Sequence, residues 1–97
     1  MITFTELLER AKSELIAIHT PTEEQAIALL KALDEKGYEW NSEKKLTTRT
    51  NYEDFREFTC YNFQLNNKIM YGSLKFHQEH DYTIIKFKDI DFFKKED

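Results

Sequence analysis

Glycine and proline are scarce in this chain of 97 residues, which holds two glycines and one proline. So few breakers leave little room for long irregular stretches, and most residues are expected in regular elements. A single cysteine, Cys60, excludes an internal disulfide and any multi-cysteine zinc site, as in a reducing cytoplasm. No apolar run approaches the length of a membrane span, and residues 1–16 carry charges every few positions, unlike a signal peptide. Glycine-rich phosphate loops are absent. Uncompensated positive charge is missing too. The net charge is −4, with eight acids against four bases in residues 1–40 and ten of each in residues 41–97. Sequence-independent phosphate binding needs several unpaired bases, so direct nucleic-acid binding is disfavoured.

Present in quantity are aromatic and charged residues. Hydrophobic residues are 40% and charged residues 33%, a soluble globular balance for one domain spanning residues 1–97. Eight Phe, five Tyr and one Trp supply bulk to fill a small core, or an aromatic contact surface.

The run from Thr20 to Trp40 is the most clearly punctuated. Thr20 can cap a helix, Pro21 fits its first position and Glu23 supplies the acid of a capping box. Ala26, Leu29, Leu30 and Leu33 share one face, and Gly37 supplies a left-handed stop. A helix over about 21–36 is expected, then an alternating strand through Tyr38 and Trp40. Thr3, with Glu6, caps an earlier helix from Phe4 to about Lys12, with Ile2 and Leu7 placed as a hydrophobic staple. Residues 14–19 read as a strand, the rival being one helix through Ile18. Residues 41–51 read as a loop or ragged hairpin arm, and 52–58 as either a helical turn or extended chain. Thr59 to Leu65 and Lys68 to Tyr71 form two strands about an Asn66-Asn67 turn. A short helix near 73–79 precedes a strand from Tyr82 to Phe87, apolar on both faces and so expected in a central, doubly covered position or sandwiched by the tail. The tail from Ile90 to Phe93 should pack on the domain or complete a homodimer. The sum is an α+β domain, a mostly antiparallel sheet of three to five strands packed against the main helix.

Few residues suggest chemistry. His77 and His80 have the spacing of two ligands on a helix, but no further His or Cys supports a metal, and a surface pair at a helix end is the plainer reading. Cys60 in a strand reads as a small buried hydrophobe rather than a nucleophile for His19. The carboxylates Asp89 and Asp91 sit among lysines. No catalytic set, cofactor or metal is expected, and the chain reads as a non-enzyme. The best binding candidate interleaves bases and rings: Trp40, Lys44, Lys45, Arg49, Tyr52, Phe55 and Arg56. These could hold a nucleotide-like ligand by stacking, or a protein partner.

In order, Thr22-Glu23-Glu24-Gln25, Gly37-Tyr38-Glu39-Trp40, Thr59-Cys60-Tyr61, Tyr71-Gly72-Ser73 and Tyr82-Thr83-Ile84-Ile85-Lys86-Phe87 resemble a group of small bacteriophage and prophage proteins, particularly of low-GC Gram-positive bacteria. The resemblance covers about residues 14–90. Two positions depart from it: Asp81 and Glu43 stand where glycine is common. The resemblance implies an accessory protein that binds a host component stoichiometrically. The first expectation is an inhibitor of a host antiviral-defence protein, with CRISPR–Cas effectors the leading target class. The alternatives are a binder that sequesters a nucleotide immune signal, and a structural or regulatory phage module.

Overall fold

The computed structural model describes residues 1–94. The Thr3 cap forms as expected: its hydroxyl accepts the Glu6 N–H and donates to Glu6 Oε1, both at 3.1 Å. Helix α1 (Phe4–Arg10) follows β1 (Ile2–Thr3) and buries Phe4 and Leu7. The chain then turns into strand β2 (Ile16–His19), so the strand reading of 14–19 holds in its last four residues and the continuous helix does not.

Helix α2 (Glu23–Glu35) begins two residues later than the sequence suggests, and its cap is Thr22 rather than Thr20. Thr22 Oγ1 accepts the Gln25 N–H at 3.2 Å, while Thr20 is buried and donates both its N–H and its hydroxyl to Thr59 O. The pull of the β2–β4 junction on Thr20 outweighs its use as a cap. The apolar face is as expected. Ala26, Leu29, Leu30 and Leu33 are all buried, each Leu worth about 1.5–3 kcal/mol. Gly37, at φ +90°, ends the helix. The Gly37 N–H donates to Asp34 O and the Tyr38 N–H to Leu33 O, the paired bonds of a Schellman motif.

Strands β3 (Glu39–Trp40), β4 (Thr59–Gln64), β5 (Lys68–Ser73) and β6 (Thr83–Lys86) join β2 in one five-stranded sheet, ordered β3-β5-β4-β2-β6. Its centre is antiparallel (β5–β4 and β4–β2), and both outer strands run parallel to their neighbours. Asn66 and Asn67 turn the β4–β5 hairpin at φ 62° and 59°, as their tolerance of left-handed backbone predicts. Strand β6 is an edge of the sheet rather than a central strand. Its Ile85 packs on the core side, where helix α2 lies, and Ile84 takes the opposite face.

Helix α3 (Leu74–Glu79), capped by Ser73, packs against β4, β5 and β6. The tail closes on the domain: β7 (Ile90–Asp91) pairs in parallel with β1, and Phe92 lies 4.9 Å from the Phe4 ring and 5.1 Å from that of Phe87. Phe93 projects, 92% exposed. Among the described residues no helix is long and apolar enough to cross a membrane.

The two faces of the sheet differ. One meets α2 and contains Ile16, Ile18, Tyr61 and Ile69 in a continuous core. On the other, Met70, Asn62, Ala17 and Ile84 form one cross-strand row, and Gly72, Cys60, His19 and Lys86 the next. Helix α3 covers this outer face.

Candidate functional site

Residues 41–58, which carry six of the seven candidate binding residues, are an ordered cover rather than a slack connection. The chain leaves β3 by a three-residue loop: Glu43 N–H returns to Trp40 O at 2.7 Å, and Trp40 N–H takes Lys44 O at 2.9 Å. This is a turn followed by a left-handed residue, and Glu43 occupies it at φ 71°. Leu46, fully buried at the head of the 3₁₀ turn Leu46–Thr48, anchors the segment beside α2. Two further 3₁₀ turns, Tyr52–Asp54 and Arg56–Phe58, resolve the 52–58 ambiguity as tight helical turns. Polar ties complete the clamp. Tyr52 OH donates to Pro21 O at 2.8 Å, and the Tyr61 OH donates to Thr50 O.

The seven sequence candidates do not converge on one cavity. Trp40 is 6% exposed, a core residue whose ring lies 6.0 Å from Tyr61 and 6.1 Å from Tyr71, so it presents no open stacking face. Its indole N–H is buried without a hydrogen-bond partner. Lys45 reaches back to Asp34 at 2.8 Å and lines a cleft of about 340 Å³ with Leu30, Leu46 and Thr50. Arg49 lies 3.9 Å from Glu53, both well exposed, a geometry worth little in water. Lys44 and Arg56 are exposed, with Arg56 at φ 49°. Tyr52 is held at Pro21, where desolvation raises its phenol above the usual range.

Phe55 belongs to a different grouping, one the sequence pattern does not isolate. Its ring, 38% exposed, lies 6.1 Å from Tyr71 of β5. The Tyr71 hydroxyl donates to Asp54 Oδ2, and that bond, with burial, raises its phenol pKa. Strand β3 pairs with β5 only at Lys68 and Ile69, so residues 70–73 have no strand on that side. Around this free half-edge stand three large apolar side chains: Phe55 beside Tyr71, Met70 at 42% exposure, and Phe76 at 45%. Phe76 comes from α3, and its Cδ2 would lie 3.6 Å from a Cβ on Gly72. Sequence reasoning missed Met70 and Phe76. The signal available was the alternation of β5, which places Met70 and Gly72 on the face opposite the core-facing Ile69 and Tyr71.

His77 also departs from expectation. It is not a surface residue but fully buried between α3 and the sheet. Its Nδ1 lies 2.8 Å from Ser73 O and its Nε2 2.8 Å from Asn62 Nδ2. Both ring nitrogens are thus engaged, and His80, by contrast, is exposed with its ring 4.3 Å from Phe76. Among the described residues no group of three or more His, Cys, Asp or Glu could hold a metal. Cys60 is buried, and desolvation pushes its thiol up to about 12.

A larger cleft, about 450 Å³, lies at the other end of the sheet, between Lys12, Leu15, Tyr38, Phe63, Leu65 and Tyr82. None of the seven candidates lines it. Comparison with protein-family models, curated proteins and solved structures found no match to this chain.

Proposed function

We propose that this chain is a phage- or prophage-type accessory protein of the bacterial cytoplasm that acts by stoichiometric binding to a host antiviral-defence protein, without catalysis of its own. CRISPR–Cas effectors are the leading target class. The observation that carries the binding reading is the exposed trio Phe55, Met70 and Phe76 around the free half of β5. Large apolar side chains beside a strand with unpaired backbone groups suit a partner that adds main-chain hydrogen bonds and fills pockets with its own side chains. The phage assignment and the nature of the target rest on the sequence resemblance alone.

The sequestration of a nucleotide signal has less support. Such a ligand needs bases and rings converging on a pocket, and here Trp40 is in the core while Lys45 and Arg49 face acids.

Co-expression with candidate host nucleases and pull-down tests the proposal. A stable complex that Met70→Glu and Phe55→Glu abolish, with the variants still folded, is the expected result. The proposal falls if no defence protein is retained, or if both variants bind as well as the parent. A thermal shift with cyclic or ADP-ribose-type nucleotides, in the absence of a protein complex, would favour sequestration instead.

A further inference from the structure

Helix α3 has six residues, far fewer than a helix needs to persist alone in water, so its docking on the sheet holds it in place. His77 is the centre of that docking. The Ser73 carbonyl can only accept, so His77 Nδ1 carries the proton and donates to it. Nε2 is therefore the lone-pair nitrogen, and it accepts from the Asn62 amide. Turning Asn62 over would oblige Gln64 to turn as well, because Asn62 Oδ1 accepts from Gln64 Nε2. The relay Gln64–Asn62–His77–Ser73 thus runs in one direction across β4, α3 and β5. Gly72 lies directly beneath the ring, where a Cβ would sit 3.0 Å from Cε1.

The surroundings give an added proton no help. From α3 the titratable neighbour is His80, whose charge repels, while Lys75 and Glu79 lie exposed on the same helix. Tyr82, after α3, sets its ring 4.8 Å from the imidazole. On the sheet, β4 offers Asn62 and the buried Cys60 thiol, and β5 offers Met70 and Gly72. Strand β6 contributes Ile84 and, in the row of His19 and Cys60, Lys86.

We propose that His77 is a proton-operated latch: protonation of Nε2 sets an N–H against the Asn62 amide donor and releases α3 from the outer face of the sheet. Release carries Phe76 away from Gly72 and dismantles part of the partner surface. That consequence rests on the function proposed above, whereas the latch itself is read on the free protein.

The direction with pH follows from linkage. Burial holds the His77 imidazolium below its usual range, with His80 acting the same way and the Ser73 bond opposing. The unfolded or undocked state therefore binds the proton first. Docking is at full strength above about pH 6.5 and weakens as pH falls from there through the lowered value, by up to about tenfold per pH unit.

Amide hydrogen exchange and imidazole ¹⁵N shifts, followed by NMR from about pH 7.5 to about pH 5, provide the test. The expected result is an Nδ1–H tautomer at high pH. On acidification the Phe76, His80 and Tyr82 amides should lose about tenfold or more of their protection while β4 and β5 keep theirs. His77→Gln retains a donor and an acceptor without a titrating ring and should flatten the pH response. Asn62→Asp places an acceptor opposite Nε2 and should keep α3 docked in acid, which remains informative if the Gln variant does not fold. Titration of His77 at its ordinary value, or protonation without loss of α3 protection, overturns the latch. Failure to find a host partner leaves these readouts untouched and bears only on the proposed function.

Discussion

His19 and Cys60 stand directly opposite one another in the antiparallel ladder of β2 and β4, yet they do not form a nucleophile–base pair. The imidazole Nε2 lies 2.7 Å from Glu57 O and is spent as a donor there, while the thiol is buried and pushed up to about 12. Native Cys60 should therefore react with a thiol reagent at about pH 8 on the order of 10³-fold more slowly than a free thiol. Mass spectrometry before and after denaturation reads this, and rapid native labelling would contradict the buried placement.

The start of α2 offers a direct contrast. Thr22→Ala removes the hydroxyl that accepts the Gln25 N–H and should cost about 1 kcal/mol in urea unfolding. Thr20→Val should be nearly neutral, because Thr59 O keeps the Thr20 N–H and the hydroxyl leaves along with its own need for a partner. Equal losses, or the reverse order, would restore Thr20 as the cap.

Glu43 and Asp81 both have left-handed backbone, at φ 71° and 63°. Glu43→Gly should raise stability by about 1 kcal/mol through relief of that conformation. Asp81→Gly should gain less, since aspartate tolerates the region better. Thermal melting of the two variants decides the point, and a loss at Glu43 would show that its side chain does more than occupy the turn.

Gly72→Ala should be destabilising by about 1–3 kcal/mol, although its backbone needs no glycine. The added methyl meets the His77 ring, which is fully buried and held at both nitrogens, so it cannot move aside. Chemical shifts should change first in α3. An unperturbed α3 in this variant would contradict the close approach.

Phe92→Ala and Phe93→Ala should separate cleanly. Phe92 packs between Phe4 and Phe87, and its loss should cost about 2 kcal/mol. Phe93 is almost wholly exposed, and its loss should fall within about 0.5 kcal/mol. Denaturant midpoints measure both.

Much of the scaffold was legible in the chain itself. The α2 stripe, the Gly37 stop, the Asn66-Asn67 hairpin and the Thr3 cap depend on neighbours within a few residues, and local pattern is enough to read them. What lay beyond it was decided by contacts between distant segments. Thr20 lost its capping role to a strand 39 positions away. The β6 apolar pattern did not reveal an edge position, because Ile85 meets the core and Ile84 the face that α3 covers, whether or not a second strand pairs alongside. The candidate site was read least well. Interleaved bases and rings look alike whether the rings face solvent or sink into a core, and Trp40 sank. His77 reads as a polar helix residue until Asn62 and Gly72 are brought beneath it.

The parallel pairing of Ile2 with Ile90 closes the fold across 88 positions of sequence. On the ribosome, β2 through β6 can assemble as soon as Lys86 has emerged. Helix α1, although made before the sheet, finds its seat only when Ile90 and Phe92 arrive. An early segment therefore waits for a late one, and cutting the chain after Asp89 would keep the sheet while leaving α1 without its clasp.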